Sequence, residues 1–400
     1  MKTSRVFILL MILGLTFTAA ALADDAQKKR HPSYNMTGRD AAQNPTSTLN
    51  PNFVEAPEAR LSESGFWRSS YINESLVGLA VGDIDRDGQN EVVYASAKNI
   101  YVGRVVGEKL QQLPKYTVQG ISIFSLDAFD LTGDGRMEII CSAQDDKKNA
   151  SSIILSFNGS AITPLAERIS WYLRVVGPEG SRFLAGQKPG TSKNTFYSGN
   201  VMRMSYSGGK VSSQGQVGLP SFVNLFNFTM GRIGSGGLQM TAAIKFPSEH
   251  IFLFEGNNQA WENKEEYGGT MNYIEPVTSG SDNPPREYLP ARILLADIDG
   301  DGQNELIVAK NDRGGVAFMS KLRAFSGGAI QAFKYSNMSL SPFFRTRSLP
   351  GPGVDYALAD FNNNGTMDLV VAVVTEQKSG LMIEGRSVII AYELSAPNRE

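Results

Sequence analysis

The chain has 400 residues and a formal net charge of −2, with one cysteine and two histidines. One thiol cannot form an internal disulfide, and His31 and His250 lie too far apart in sequence to suggest a zinc site or histidine-based catalysis. No basic run is present, so we expect no nucleic-acid partner. Glycine at 40 positions, with many aromatic and β-branched residues, indicates an all-β protein rich in tight turns.

The N-terminus has the features of a signal peptide. Lys2 and Arg5 precede an apolar run, which ends in the small-residue sequence Ala21–Ala23. An uncleaved membrane anchor is the alternative, but the apolar run is short for a spanning helix. We therefore predict a signal peptide over residues 1–23 and an exported protein, periplasmic or extracellular at the cell surface, with no transmembrane segment in the mature chain. The polar residues 24–62 are predicted to be a disordered tether.

An Asp-rich sequence occurs four times in the rest of the chain. Each copy lies between two short apolar segments typical of strands, which predicts a loop between strands and not an EF-hand, since that motif needs helices. We number the loops in chain order: loop one is 83–91, loop two 130–138, loop three 297–305 and loop four 360–368. Within each loop, acids occupy positions one and nine, and oxygen-bearing side chains occupy positions three and five.

The spacing of the loops predicts a β-propeller. The stretch between loops two and three has room for two degenerate units, near residues 177 and 231, which keep the strand–loop–strand pattern and lack the acids. The prediction is six four-stranded blades, with seven as the alternative if the 231–297 unit contains another. Only two strands follow loop four, at 369–375 and 387–394, so we expect residues 65–71 to complete the last blade and close the ring. The propeller domain is predicted to span residues 63–400.

The loops carry the oxygen atoms that calcium prefers. Calcium takes about 6–8 oxygen ligands, mainly carboxylates and carbonyls. We predict up to four calcium ions, each held by the side chains at positions one, three, five and nine and by the residue at position seven, whose backbone carbonyl is the expected ligand. In loop order, the predicted ligands are Asp83, Asp85, Asp87, Gln89 and Glu91; Asp130, Thr132, Asp134, Arg136 and Glu138; Asp297, Asp299, Asp301, Gln303 and Glu305; and Asp360, Asn362, Asn364, Thr366 and Asp368.

Loops one and three hold the most carboxylates, so they are predicted to bind calcium most tightly, followed by loop two and then loop four. The alternative is that Asp-Gly and Asn-Gly are simply hairpin turn residues. Four copies with acids at positions one and nine argue against that reading. The ions would hold adjacent strands together in a chain that has no disulfide.

The pattern strand, D-x-[DN]-x-[DN]-G-x-x-[DE], strand, repeated around a ring, resembles the FG-GAP or VCBS repeats of integrin α-subunit propellers and of secreted bacterial proteins. Loop two matches least well because Thr132 occupies position three, and the two central units do not match. The resemblance implies a calcium-binding propeller that acts as a binding, adhesion or scaffold module for a protein or polysaccharide partner.

An enzyme on the same scaffold, a polysaccharide lyase or hydrolase, is the alternative function. A hydrolase needs paired carboxylates in a cleft, but most of the motif acids are assigned to calcium, and no catalytic residue is predicted. The polar segment Thr270–Pro290 is expected to be an insertion between blades and a place for ligand contact. Cys141, in an apolar run, is expected to be a small buried residue.

Overall fold

The computed structural model describes residues 66–234, 237–277, 284–314, 323–377 and 385–394. These residues form strands, turns and irregular loops, and no helix occurs among them. The described residues therefore contain no helix that is long and apolar enough to span a membrane. The predicted signal peptide, 1–23, and the predicted tether, 24–62, lie outside the described residues.

Six antiparallel sheets of four strands each make up the blades of a β-propeller. Blade 1 contains β2 (Leu76–Gly82), β3 (Glu91–Ser96), β4 (Asn99–Val106) and β5 (Lys109–Thr117). Blade 2 contains β6 (Ile121–Phe129), β7 (Glu138–Asp145), β8 (Ser152–Phe157) and β9 (Ile162–Ile169). Blade 3 contains β10 (Tyr172–Val176), β11 (Phe183–Pro189), β12 (Tyr197–Ser207) and β13 (Lys210–Gln216).

Blade 4 contains β14 (Phe228–Ile233), β15 (Leu238–Lys245), β16 (His250–Glu255) and β17 (Asn258–Glu262). Blade 5 contains β20 (Leu294–Ala296), β21 (Glu305–Gly314), β22 (Ala324–Ser336) and β23 (Ser339–Arg345). Blade 6 contains β24 (Gly353–Ala359), β25 (Asp368–Glu376), β26 (Arg386–Glu393) and β1 (Trp67–Arg68). The predicted all-β propeller with six blades is confirmed, and the alternative of seven blades is wrong.

Burial changes from the inside to the outside of each blade. Strand β3 is buried at every residue, whereas β5, two strands further out, is mostly exposed. Six apolar clusters lie between adjacent blades, so each blade buries its faces against its two neighbours. Gly78 of β2 approaches β6 so closely that an added Cβ would lie 2.6 Å from the Leu126 Cβ. Cys141, in β7, is buried as expected.

The ring is closed by the N-terminal strand. Trp67 and Arg68 of β1 pair with Ala391 and Ile390 of β26, and β2 of blade 1 contacts β24 of blade 6. Beyond β1, Ile72 forms a further bridge to Ser387. The expectation that a strand within 65–71 completes the last blade is therefore confirmed, although the paired strand itself is short. Closure of this kind removes the open edges of a sheet array.

The two central units form blades 3 and 4. The first is placed as predicted, because Gly177 directly follows β10. The second is displaced: residue 231 lies inside β14, and the connection to β15 starts at Gly234, which has a φ of 71°. Gly231 there extends the ladder by pairing with Met240, so no loop forms at that point.

The segment between blades 4 and 5 crosses the ring on the face opposite the four loops. Its hairpin consists of β18 (Tyr273–Ile274) and β19 (Glu287–Tyr288). Asn272 Nδ2 donates to the Val77 carbonyl of blade 1 at 3.1 Å, and Gln144 of blade 2 exchanges hydrogen bonds with the Glu275 backbone. The predicted insertion therefore packs against the ends of blades 1 and 2, while its residues 278–283 lie outside the described part of the chain.

Candidate functional site

All four Asp-rich loops connect the innermost strand of a blade to its second strand. They belong to blades 1, 2, 5 and 6 and lie on one face of the ring, because the strands that they connect run in the same direction in every blade. In each case the acid at position nine is the first residue of the second strand. These four residues are Glu91, Glu138, Glu305 and Asp368. The ladder therefore fixes the position of one carboxylate in every loop.

The four loops share one backbone conformation. The carboxylate at position one accepts hydrogen bonds from the N–H groups at positions five and six in every loop. The side-chain oxygen at position five accepts the N–H of position seven at 2.8–2.9 Å. The glycine at position six has a φ between 82° and 88°, a region that is costly for other residues. These bonds turn the oxygen-bearing side chains toward the inside of the loop.

The acid at position nine is buried in all four loops, with a relative exposure of 0% for Glu91 and 1–3% for the other three. One of its oxygens accepts the N–H of position two, for example Leu131 N to Glu138 at 2.8 Å. Burial raises the pKa of Glu305 to about 8 and that of Asp368 to about 7, and it also raises the pKa of Glu91 and Glu138. Burial raises a carboxyl pKa because the charged form loses hydration, and a nearby cation restores the preference for that form.

Loops one and three bring three carboxylates together. Oxygens of Asp83, Asp85 and Glu91 lie within 4.8 Å of one another, and so do oxygens of Asp297, Asp299 and Glu305. Two ligands of one calcium ion, each about 2.4 Å from it, are at most about 4.8 Å apart, so this spacing fits the ion. Glu305 Oε1 is buried without a hydrogen-bond partner, an acceptor that a cation would satisfy. The donor set and the orphaned oxygen both fit calcium.

A basic side chain from the third strand of the same blade reaches each of these two groups. In blade 1, Arg104 donates from Nε to Glu91 Oε1 at 2.8 Å and lies 2.9 Å from Asp87 Oδ2. In blade 5, Lys334 Nζ lies 2.6 Å from Asp299 Oδ2 and from Asp301 Oδ2. Neither residue is predictable from the loop pattern, because each lies more than a dozen positions after its loop and belongs to another strand.

Loops two and four are less acidic, and among the described residues they have no matching group of three convergent acids. In loop two, Thr132 supplies a hydroxyl at position three. The pKa of Asp134 is lowered, first by the Arg136 backbone N–H that it accepts and further by the charges of Arg136 and Arg86. In loop four, Asn364 Nδ2 contacts Glu393 Oε2 of β26 at 3.4 Å, which brings an additional acid to that loop.

An ionic cluster joins the innermost strands. Arg292, just before β20, donates from Nη1 to Asp127 of β6 at 2.9 Å and from Nη2 to Asp355 of β24 at 2.7 Å. Nη2 also donates to the carbonyls of Leu79 and Leu126, and Arg174 Nε lies 3.1 Å from Asp127 Oδ2. The two arginines and two aspartates balance in charge and link blades 1, 2, 3, 5 and 6. No sequence pattern pointed to Arg292.

A cavity of about 310 Å³ lies between the innermost strands, and Arg292 and Asp127 are among its lining residues. Its walls include partly exposed apolar side chains of four blades, namely Val81, Val175, Leu294 and Leu358. Asp297 of loop three and Met367 of loop four also line it, so it lies toward the face that carries the loops. Met367 is 42% exposed.

Comparison with known protein families supports the repeat. Residues 83–141 match the family model described as an FG-GAP-like repeat, which confirms the resemblance to FG-GAP repeats. No curated protein matches the chain.

The solved structures that are similar to the chain include the following three. A protein from Lactobacillus plantarum has a TM-score of 0.40 and 12% identity, covering 80% of this chain and 85% of that one. The Dos1 propeller has a TM-score of 0.35 and 9% identity, covering 79% and 68%. A chain of the mitotic checkpoint complex has a TM-score of 0.41 and 11% identity, covering 86% and 99%.

Proposed function

Taking as premise that the chain is a six-bladed β-propeller with FG-GAP-like repeats, we propose that it is an exported, calcium-stabilised binding or scaffold module. The fold with these repeats indicates a binding or scaffold role. Export rests on the signal-peptide features of residues 1–23, and the polar segment 24–62 would then separate the propeller from the cleavage site.

The observation that carries the calcium assignment is the convergence of acids in loops one and three, together with the unsatisfied buried oxygen of Glu305 in loop three. A hairpin turn explains the glycine and the hydrogen bonds at position one, but it gives no reason to bury a carboxylate at position nine of every loop. Burial of an uncompensated charge is costly, and a divalent cation would remove that cost. The ion would join the end of one strand to the start of the next in four blades.

The cavity on the loop face is the proposed place of partner binding. Half-buried Val and Leu side chains of several blades surround an opening large enough for one or two apolar side chains, and the polar groups of Arg292 are already bonded within the protein. A protein partner that inserts an apolar side chain fits these walls better than a polysaccharide does. Calcium at loops three and four would fix the rim, through Asp297 and Met367.

Thermal unfolding and calorimetry test the calcium part of this proposal. Ions that bind only the folded form stabilise it by about 2.7 kcal/mol per site when their concentration is 100 times Kd. We expect the unfolding midpoint to rise in millimolar CaCl2 and fall in EGTA, and we expect calorimetric titration of the metal-free protein to show calcium uptake. A variant with Asp83→Asn and Asp297→Asn should lose the part of the shift that loops one and three contribute, whereas Asp146→Asn, at an exposed turn, should keep the whole shift. An identical midpoint in CaCl2 and EGTA would exclude the calcium role.

Partner binding is tested separately. Purified protein is tested for binding on a glycan array and against secreted proteins of the source organism. The variant Leu358→Arg places a charged side chain in the wall of the cavity. We expect a protein ligand whose binding is lost in Leu358→Arg and kept in an exposed-surface variant, Leu165→Arg. Release of unsaturated sugars from a polysaccharide, followed by ultraviolet absorbance, would instead support the enzyme alternative.

A further inference from the structure

The residue that lies beside the position-nine acid on the third strand differs among the four loops. Val92 pairs with Gly103, Ile139 with Leu155 and Leu306 with Phe333. Each position-nine acid comes one residue before Val92, Ile139 or Leu306. Because the strands are antiparallel, that acid lies opposite the residue that follows Gly103, Leu155 or Phe333. In blade 6, Asp368 itself pairs with Glu393. The cross-strand residue is therefore Arg104 for loop one, Ser156 for loop two, Lys334 for loop three and Glu393 for loop four.

These four residues offset the unequal acid content of the loops. Loops one and three each have four carboxylates at the ligand positions and one cation beside position nine, which leaves −3. Loop two has three carboxylates, a neutral serine beside position nine and the cation Arg136 at position seven, which leaves −2. Loop four has only two carboxylates, but Glu393 brings it to −3, the same value as loops one and three. The predicted order of affinity depended only on the carboxylates within each loop. It therefore left out the charge that the cross-strand residue adds or removes.

The two cations lie within the acid groups themselves. Arg104 Nη2 is 2.9 Å from Asp87 Oδ2 and 3.6 Å from Asp85 Oδ2, in addition to its bond with Glu91. Lys334 Nζ contacts Asp299 and Asp301 but stays 3.8 Å from Glu305 Oε1, too far for a hydrogen bond, so that buried oxygen has no donor. The single Lys334 ammonium group therefore contacts only some of the carboxylate oxygens in loop three. A divalent ion, which takes many oxygen ligands, could contact all of them.

We propose that the residue beside position nine sets how strongly each loop depends on calcium. Arg104 and Lys334 are resident counter-ions, which hold loops one and three together without metal and which calcium must displace from the carboxylates. Glu393 has the opposite role, since it adds a third carboxylate to the loop that has the fewest. This inference rests on the proposed calcium-binding function of the loops.

Replacement of Lys334 by methionine tests the resident counter-ion. Calcium would then no longer compete with an ammonium group a few ångströms away, and we expect one binding step in calorimetric titration of the metal-free full chain to tighten by about tenfold. The midpoint of unfolding in EGTA should fall and should recover in CaCl2. Adding Asp297→Asn to Lys334→Met should abolish the tightened step, which assigns it to loop three.

Lys310→Met is the matched control. Lys310 lies in the same blade and pairs with Glu265 away from the loops, so its removal changes the net charge equally. If the wild type and Lys310→Met take up no calcium, the proposed calcium function itself fails. If both bind calcium and Lys334→Met binds it no more tightly, the counter-ion inference fails while calcium binding stands.

Glu393→Gln gives a second readout with the opposite sign, independent of whether Lys334→Met folds. We expect one calcium-binding step to weaken several-fold, because the fourth loop loses a third of its formal charge. Glu376→Gln, at the exposed Arg386 pair of the same blade, should bind like the wild type. Unchanged binding in Glu393→Gln would overturn the role given to Glu393.

Discussion

Buried carboxylates occur in two regions of the propeller, between the innermost strands and in the Asp-rich loops, and their surroundings differ. Asp127 and Asp355 of the central cluster are 2% and 4% exposed, and arginines contact both. Glu138 and Asp368 are equally buried at position nine, where the cross-strand neighbours are a serine and a glutamate. At the centre the chain supplies its own cations for these carboxylates, whereas in loops two and four we propose that an external calcium ion does so.

Loops one and three stand between these two extremes. Each has a basic side chain within its acid group, and each also has more carboxylates than that side chain can neutralise. The protein thus contains three arrangements of buried acid: fully paired, partly paired and unpaired. The comparison predicts that stability depends on calcium least at the centre and most in loops two and four.

The largest effect is expected at the centre, from Arg292→Met. Methionine retains much of the side-chain volume but leaves Asp127 and Asp355 without their shared partner, a change that costs about 3–5 kcal/mol when one member of a buried pair is lost. Chemical denaturation followed by circular dichroism measures it, with Arg386→Met at an exposed pair as the control. The loss should be the same in CaCl2 and in EGTA. A loss that calcium reverses would mean that the centre and the loops are not independent.

A smaller effect, with a sign that depends on calcium, is expected from Asp368→Asn in loop four. Asparagine can still accept the Phe361 N–H but carries no charge. In EGTA the variant should equal or exceed the wild type in stability, because a buried charge beside Glu393 is removed. In CaCl2 it should be less stable by up to about 2.7 kcal/mol, the value of one well-occupied site.

Unfolding curves of Asp368→Asn in the two buffers distinguish a calcium ligand from a purely structural hydrogen-bond acceptor. Asp146→Asn, at an exposed turn, serves for comparison. Equal destabilisation in both buffers would show that Asp368 is a structural acceptor only, and it would remove loop four from the proposed calcium sites.

The repeat made most of the fold predictable. Each Asp-rich loop marks the end of one strand and the start of the next, as loop one does for β2 and β3. Ring closure was predictable because the strands after loop four were too few. The turn of blade 4 was misplaced, because Gly231 looks like a turn residue when the ladder that contains it is unknown.

The cross-strand partners of the loops were out of reach of the sequence alone. Lys334 can be placed beside Glu305 only when the pairing of β21 with β22 is known, and that pairing includes a register shift near Asp312. The two strands are joined through residues 315–322, which lie outside the described part of the chain. Arg292 contacts carboxylates 165 and 63 positions away, and a lone arginine with such partners leaves no pattern. The ligand residues of a loop are neighbours in sequence and can be predicted from it. The charges that balance them depend on strand pairing, which the sequence alone does not give.

The smallest effect is expected from Glu287→Gln, which tests a half-buried acid outside the four proposed calcium loops, with no arginine partner among the described residues. Glu287, in β19, lines a small cavity with Tyr197 and Glu249, and burial raises its pKa from 4.5 to about 7. The folded protein therefore keeps a proton that the unfolded chain loses between these two values. The stability due to this group is complete below pH 4.5 and disappears as the pH rises through about 7.

Wild-type protein should accordingly be less stable than Glu287→Gln at pH 8, by on the order of 1 kcal/mol after allowance for partial exposure, and similar to it at pH 4.5. Glu255→Gln, exposed in blade 4, should show no such dependence on pH. Because no group of convergent acids includes Glu287 among the described residues, calcium should leave the difference unchanged. A difference that calcium abolishes would show that the ion acts on buried acids generally, and the distinction between the loops and the rest of the propeller would then fail.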